Sequence, residues 1–249
     1  MASFTMAINV SAKDGAGYYY QLKIYHFTSQ AQENIVENYL EKAFLPAMHR
    51  AGITAVGVFK PVETDTLGKR LYVFIPFRKF DQIQKIEQVL AADEQYQRDG
   101  KEYIDAVYDH PPYTRMETIL LSAFPKMPYA EVPQLSAKKE DRIYELRSYE
   151  SATEKYNLNK VKMFNDGDEV ALFKRLGFHA AFYSEVIAGS HMPNLMYMVT
   201  FNNMADHDRL WKAFFDDPHW KRLVAMSEYQ NNVSHVDAVF LHPAVYSDF

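Results

Sequence analysis

The chain of 249 residues contains no cysteine, two tryptophans and nine glycines. The absence of cysteine excludes disulfides, thiolate nucleophiles and zinc or iron–sulfur sites with cysteine ligands. It does not choose a cellular compartment, because a cysteine-free protein is compatible with reducing and oxidising surroundings. The sequence also lacks any run of about 18 apolar residues, so no transmembrane segment is expected.

An excess of positive charge is missing too. The 27 basic residues are outnumbered by 32 acidic residues, and the formal net charge is -5. Because a phosphate backbone is held by a basic surface, a nucleic-acid partner is not expected. The apolar share of 48% and the charged share of 24% are ordinary for globular proteins, which excludes disorder of the whole chain.

The first 17 residues are predicted to be a disordered tail or the remnant of a signal peptide. Residues 2–12 are mildly apolar and end in Val10-Ser11-Ala12, a small-x-small pattern similar to a signal-peptidase site. No basic segment precedes them, so the signal would be a truncated one. We therefore expect a cytoplasmic protein, or an exported protein if residues 1–12 belong to such a signal.

What the chain does contain is an internal repeat. The segment Tyr20-Gln21-Leu22-Lys23-Ile24-Tyr25 resembles Tyr144-Glu145-Leu146-Arg147-Ser148-Tyr149 at an offset of 124 residues. Further matches join residues 71–77 to 195–201 at 124, Gly52 to Gly177 at 125, and 116–124 to 236–243 at 120. Agreement over this many positions predicts a duplicated structural unit.

Each half follows the order β-α-β-β-α-β of a ferredoxin-like unit. The first half is predicted to have strands at 19–27, 53–60, 71–77 and 115–124, with helices over 29–51 and from Asp81. The second is predicted to have strands at 143–149, 178–186, 195–201 and 236–241, with helices over 158–176 and from Ala205. Such a sheet covers one face with helices and leaves the other without a partner. The fold class is therefore predicted as α+β, with two tandem units whose sheets face each other as one barrel within the chain.

A segment with prolines separates the two units. Three prolines lie between residues 125 and 140, together with the charged cluster Lys138-Lys139-Glu140-Asp141. We predict a first barrel half at 18–125, a linker at 126–142 and a second barrel half at 143–249. Association of whole chains into a homo-oligomer stays open.

The alternation of apolar and polar residues in the opening strands predicts that the two faces of each sheet differ in polarity, since successive side chains point to opposite faces. Tyr20, Leu22 and Ile24 share an apolar face, as do Tyr144 and Leu146, and we expect these faces to meet the helices. The opposite faces carry polar side chains that would then point into the barrel: Gln21, Lys23, Tyr25, Glu145, Arg147 and Tyr149. Two interpretations remain open, an ion-pair network that stabilises the barrel and a polar site for a ligand.

The candidate ligand-binding residues combine these side chains with residues of the later strands. They are Lys23, Tyr25, Glu145, Arg147, Tyr149, His179, Tyr183 and Tyr197. His179 is the histidine best placed to hold haem or a metal, although a core or rim histidine is the more ordinary interpretation. His26 and His191, next to strands, are weaker candidates, and His207 is expected to be solvated.

No sequence motif indicates a reaction. There is no His-x-x-x-His pair, no glycine-rich phosphate loop and no Gly-x-Ser-x-Gly elbow. We accordingly name no catalytic residue and no cofactor, and we expect no metal site.

The second half resembles the NIPSNAP family of the dimeric α+β barrel superfamily. The resemblance rests on residues 144–149, on Phe173-Lys174-Arg175-Leu176-Gly177-Phe178, and on residues 197–201 followed by Asp206, Trp211, Phe214 and Asp217-Pro218-His219-Trp220. In the first half this pattern has diverged, since Asp93 has no proline after it and Tyr96 stands in the place of Trp220. The resemblance implies the fold and a cavity of small-molecule size inside each unit, but no particular reaction.

The function expected from these observations is the binding of a small apolar or haem-like molecule inside the barrel. Related barrels of the superfamily include monooxygenases, haem-degrading enzymes and stress-response proteins, so a cofactor-independent monooxygenase or isomerase is an alternative. In that case a tyrosine or histidine would act with Arg147 or Lys23 to stabilise an enolate. A further alternative is a protein-interaction scaffold with a packed barrel that has no cavity.

Overall fold

The computed structural model describes residues 17–62, 66 and 68–249. The first half contains the strands β1 (Tyr19–His26), β2 (Gly57–Pro61), β3 (Arg70–Phe77) and β4 (Arg115–Ala123). Its helices are α1 (Gln30–Tyr39), α2 (Leu45–Arg50), α3 (Asp81–Ala92), α4 (Glu94–Asp99) and α5 (Lys101–Ile104), and a π-helical turn (Leu40–Phe44) joins α1 to α2. The predicted tail or signal at residues 1–17 lies, apart from Gly17, outside the described residues.

The second half repeats this order. Its strands are β5 (Ile143–Glu150), β6 (His179–Ala188), β7 (Asn194–Phe201) and β8 (His235–Pro243). Its helices are α6 (Glu154–Asn165), α7 (Glu169–Arg175), α8 (Met204–Asp216) and α9 (Pro218–Ala225), with short 3-10 turns at Lys139–Asp141 and Ser227–Tyr229. Within the described ranges, no helix combines the length and the apolar character that a membrane span requires.

The eight strands form a closed barrel in the order β1-β3-β2-β8-β5-β7-β6-β4, with antiparallel neighbours throughout. The predicted α+β fold class and the intrachain barrel are thereby confirmed. The two four-stranded sheets join edge to edge through β2–β8 and β4–β6, where Phe59 pairs with Pro243 and Leu121 with Val186. Closure removes the unpaired strand edges of both halves. The division at 126–142 stays a prediction.

Equivalent residues cap equivalent helices in the two halves. Asp93 accepts a hydrogen bond from the backbone of Tyr96 at the start of α4, and Asp217 does the same for His219 at the start of α9. Each aspartate also binds an arginine from the preceding helix layer, Arg50 at 2.7 Å and Arg175 at 3.0 Å. These duplicated interactions support the repeat, since each cap satisfies backbone donors that a helix start leaves free.

The helix predicted over 158–176 is interrupted. It begins at Glu154, ends at Asn165 and resumes at Glu169, with Asp168 at a φ of 58°. A Cβ atom on Gly167 would lie 2.5 Å from the backbone oxygen of Met163, so this close approach requires glycine. In the first half the π-helical turn stands at the corresponding place.

The barrel interior is filled by aromatic and aliphatic side chains from both halves. The rings of Phe74 and Phe182 stack with centroids 4.6 Å apart, and Tyr20 lies 5.0 Å from Phe74. Phe59 contacts Tyr144 at 5.0 Å. Two further apolar clusters lie outside the barrel, one between each sheet half and its helices.

The prediction for the two strand faces is wrong. Tyr20, Leu22, Ile24, Tyr144 and Leu146 point into the barrel instead of towards the helices. The polar face of each opening strand lies under the helices. Because the interior of the closed barrel offers few polar partners, apolar side chains fill it, whereas helix side chains can pair with polar groups on the outer face.

Candidate functional site

The two first-half candidates lie outside the barrel. Tyr25 packs among the helices, and its hydroxyl oxygen is 3.2 Å from that of Tyr103. The Nζ atom of Lys23 lies 5.9 Å from the ring centroid of Phe44. Burial lowers the pKa of Lys23, which the charge of Glu87 only partly offsets. Neither side chain lines the barrel interior, contrary to the prediction.

In the second half, Glu145 is the centre of a buried polar network beneath α8. Its carboxylate accepts hydrogen bonds from Arg147 and from Trp211 Nε1, the latter at 2.8 Å, and lies 3.5 Å from His207 Nε2. The Arg147 guanidinium lies 4.8 Å from the ring centroid of Trp211. Glu145 and Arg147 therefore form an ion pair, as one of the two interpretations expected. The pair lies on the helix-covered face of the sheet and not inside the barrel.

The network shifts the ionisation of its members. Burial by itself would raise the pKa of Glu145, but His207, Arg147 and Trp211 together lower it. Burial would lower the pKa of His207, and the carboxylates of Glu145 and Asp208 raise it overall. The prediction of a solvated His207 is wrong, since its side chain is 14% exposed and contacts the ring of Phe201.

Of the remaining candidates, His179 and Tyr183 line one groove, but the four do not share a single cavity. Tyr149, Tyr183 and Tyr197 belong to the aromatic cluster between the second sheet half and its helices, where the hydroxyl oxygens of Tyr149 and Tyr197 are 2.7 Å apart. Burial raises the pKa values of all three tyrosines. His179 is exposed at the start of β6, in a groove against the linker residues.

A pocket of about 310 Å³ opens at one mouth of the barrel. Its apolar wall consists of Ile24, Tyr72, Ile119, Leu146, Met196, Ala238 and Val239, and its polar residues are Arg70, Glu117, Ser148, Ser190, His191, Asn194 and Asp237. Further along the same strands, the stacked rings of the interior fill the barrel. The pocket is shared by both halves, whereas the family resemblance implies a cavity inside each unit.

Equivalent positions of the repeat meet across this mouth. At the offset of 124, Arg70 corresponds to Asn194 and Tyr72 to Met196, and at the offset of 120 Glu117 corresponds to Asp237. An acidic residue, Glu117 or Asp237, is therefore present in both halves. The position of Arg70 in the first half carries the amide Asn194 in the second. Duplication placed the same backbone positions around the mouth, and substitution made the two sides chemically different.

Asn194 is the most deeply buried polar residue of the pocket, at 2% exposure. Its Nδ2 group donates a hydrogen bond to Ser148 Oγ at 2.9 Å, while its Oδ1 atom has no hydrogen-bond partner among the described residues. On the other side, Glu117 lies 2.6 Å from His26 Nε2 and accepts a hydrogen bond from Ser190. The pocket therefore has an apolar wall and, beside it, a buried acceptor without a partner among the described residues.

The pocket was missed at the sequence level, although His191 was a weaker candidate. The available signal was the repeat itself, because the offsets that align the strands also pair Arg70 with Asn194 and Glu117 with Asp237. The predicted orientation of the opening strands placed the candidate residues on the opposite face of the sheet.

The family model that matches the chain is that of NIPSNAP, over residues 144–248. The second half of the chain belongs to the NIPSNAP family. The first half adds a diverged copy of the same unit to this NIPSNAP half, as the repeat and the barrel topology show. No curated protein is similar enough to count as a match.

Three solved structures share the architecture over nearly the whole chain. A proposed monooxygenase from Lactobacillus acidophilus NCFM has 13% identity and a TM-score of 0.56, with 91% of this chain and 94% of that chain covered. A proposed monooxygenase from Fusobacterium nucleatum has 8% identity and a TM-score of 0.57, with 92% and 93% covered. An anthrone oxidase-like protein has 11% identity and a TM-score of 0.52, with 94% of both chains covered. At these identities the similarity concerns the fold.

Proposed function

We propose that this NIPSNAP protein binds a compact small molecule in the pocket at the barrel mouth. The observation that carries the proposal is Asn194, whose Oδ1 atom is buried without a hydrogen-bond partner at the wall of an otherwise largely apolar cavity. An unsatisfied buried acceptor costs about 1–3 kcal/mol. A ligand that donates a hydrogen bond to this oxygen recovers that cost on binding.

The pocket also limits the class of ligand. A volume of about 310 Å³ is at the small end of the range for ligand pockets, which favours a compact molecule over a macrocycle such as haem. The wall formed by Tyr72, Leu146 and Met196 suits an apolar or aromatic body. We therefore expect a hydroxylated ring compound whose hydroxyl group meets Asn194.

The binding of 2-naphthol, a fluorescent hydroxylated bicyclic compound, tests the proposal. Asn194→Leu removes the acceptor and Val239→Trp fills the apolar wall, so each variant should weaken binding about tenfold or more. His179→Ala changes an exposed histidine outside the pocket and is the matched control. Fluorescence titration that gives the same affinity for wild type, Asn194→Leu and Val239→Trp contradicts the proposal.

Oxygenation without a cofactor is a second candidate, supported by the monooxygenase descriptions of two barrels that align over more than 90% of both chains. Arg147 and Lys23 cannot serve it in this pocket, because both side chains lie under the helices. Arg70, at the mouth, is the cation placed to stabilise an enolate. Oxygen uptake with anthrone, converted to anthraquinone and water, tests this candidate, and uptake equal to the protein-free rate contradicts it.

The scaffold alternative expects a packed barrel without a cavity. The pocket shared by both halves argues against that expectation.

A further inference from the structure

Three potential metal ligands meet beside the barrel-mouth pocket. They are Glu150 at the end of β5, His191 in the loop between β6 and β7, and Asp237 near the start of β8. One ligand atom from each side chain lies within 4.8 Å of the other two. His191 and Asp237 also line the pocket.

The contact between Glu150 and His191 has the spacing of two ligands of one ion. Glu150 Oε1 lies 3.0 Å from His191 Nδ1, and yet this buried oxygen has no hydrogen-bond partner among the described residues. A carboxylate oxygen and an imidazole nitrogen at this distance ordinarily form a hydrogen bond. Where the imidazole nitrogen and the carboxylate oxygen are not aligned for a hydrogen bond, a cation bound between them accepts a lone pair from each.

The surrounding side chains favour a cation over an anion. Glu117, Glu150 and Asp237 contribute three carboxylates at the mouth, and Arg70 contributes one guanidinium on the first-half side. His235 Nε2 lies 3.0 Å from Asp237 Oδ1, which is the type of outer contact that orients a ligating carboxylate.

We propose that Glu150, His191 and Asp237 bind a divalent transition-metal ion at the rim of the pocket. Ligand atoms about 2.0–2.2 Å from a tetrahedral zinc ion lie about 3.3–3.6 Å apart. Separations of up to 4.8 Å therefore have to close by about 1 Å, which rotation of the exposed side chains of His191 and Asp237 can supply. One imidazole with two carboxylates suits zinc or a neighbouring first-row ion better than magnesium.

The arrangement leaves part of the coordination shell for other donors. Three protein ligands with a remaining open position are typical of reactive zinc sites, whereas structural sites are closed by four protein ligands. Because two of the three side chains also line the pocket, an open position there is accessible to a molecule in the pocket. The metal site does not depend on the identity of such a molecule.

Titration of tag-free, chelator-treated full chain with ZnCl₂ alone tests the inference. Isothermal calorimetry should show one zinc ion per chain, and His191→Ala and Asp237→Asn should each weaken binding about 100-fold or more. Both side chains are largely exposed, at 63% and 60%, so the variants should retain the wild-type melting temperature. Co²⁺ in place of Zn²⁺ should give visible absorption bands that both variants lose.

The control is His49→Ala, which removes the histidine of another histidine–carboxylate contact, 2.8 Å from Asp248. Its zinc affinity should equal that of the wild type, and Asn194→Leu should also retain zinc. Absence of stoichiometric binding by the wild type overturns the proposal, as does a folded His191→Ala protein with unchanged affinity. An equal loss in His49→Ala would show scattered surface binding and would overturn it as well. Retained zinc with lost 2-naphthol binding, or the reverse, separates this inference from the proposed function.

Discussion

Glu145 and Arg147 of the NIPSNAP half occupy the positions that Gln21 and Lys23 occupy in the first half. Both pairs lie under the helices, but only the later pair contains a carboxylate that contacts a tryptophan and a histidine of the neighbouring helix. At the helix positions, Trp211 corresponds to Glu87 and is buried. The same backbone positions therefore carry a carboxylate-centred network in one half and an amide with a lysine in the other.

The difference extends deeper into the helix layers. In the NIPSNAP half, Lys160 forms a buried ion pair with Glu169 at 2.8 Å, and Val36 stands at the position of Lys160 in the first half. Both halves also bury a pair of tyrosine hydroxyl groups, those of Tyr39 and Tyr96 2.8 Å apart in the first half and those of Tyr149 and Tyr197 2.7 Å apart in the second. The two helix layers are therefore stabilised by different buried polar pairs around the same barrel.

The largest effect is expected where the two halves meet. Phe182→Ala removes a ring of the NIPSNAP half that stacks on Phe74 of the first half. Loss of a buried phenylalanine should cost about 4 kcal/mol in the free energy of unfolding. Because the barrel is shared, urea unfolding should remain a single transition for tyrosine fluorescence and circular dichroism. Two separate transitions would show that the halves unfold as independent units and would contradict a shared barrel core.

The buried ion pair should be the next most sensitive feature. Lys160→Met leaves the Glu169 carboxyl buried without its partner and should lower the free energy of unfolding by about 3 kcal/mol. Burial already raises the pKa of Glu169, an effect that Lys160 only partly offsets. Lys60→Met is the first-half control, because Lys60 pairs with Glu33 at 2.7 Å but is partly exposed.

The control should lose less than Lys160→Met, because Lys60 is partly exposed and Glu33 keeps its ion pair with Lys69 at 3.1 Å. The double variant Lys160→Met/Glu169→Leu should recover much of the loss, since an apolar pair of similar volume replaces the charges. Equal losses for Lys160→Met and Lys60→Met would contradict a larger contribution from the fully buried ion pair of the NIPSNAP half.

The smallest effect should be a dependence of stability on pH that originates in the NIPSNAP half. The pKa of His207 is raised above its usual value of 6.5, after the opposing effect of burial, by Glu145 and Asp208. Its contribution to stability is therefore complete below pH 6.5 and is lost as the pH rises through the higher pKa of the folded state. Glu145 stays ionised over this range, because its pKa is lowered from 4.5.

His207→Gln should remove this contribution. The difference in unfolding free energy between wild type and variant should shrink from about pH 6 to about pH 8, and taking the difference cancels the titration of Glu169. The first half has Ile83 at the equivalent position. Because isoleucine does not titrate, that position contributes no dependence of stability on pH. A difference that is constant or grows with pH would contradict the proposed link between His207 and Glu145.

Local signals in the sequence were sufficient for the repeat and for the ends of several helices. Gly52 and Gly177, predicted helix ends, have φ values of 85° and 87°, a conformation that glycine adopts without strain. Ser29 caps α1 through the backbone of Gln32, and Pro218 occupies the first turn of α9. These features depend on contacts within a few residues, which is why a sequence pattern can predict them.

The faces of the strands could not be assigned in this way. In an open sheet the apolar face meets the core and the polar face meets water, but the closed barrel covers both faces. Tyr20 and Leu22 alternate with Gln21 and Lys23 whichever face points inward. Only the partners across space, such as Trp211 for Glu145, decide that the polar face lies beneath the helices.

The duplicated β-α-β-β-α-β order, several helix caps and the NIPSNAP resemblance of the second half were all readable from the amino-acid sequence. These depend on periodicity and on neighbours along the chain. The choice of the inner strand face, the pocket at one mouth of the barrel and the presence of Asn194 and Arg70 around that pocket required the folded chain. Those facts arise from barrel closure, which brings together side chains separated by more than a hundred residues.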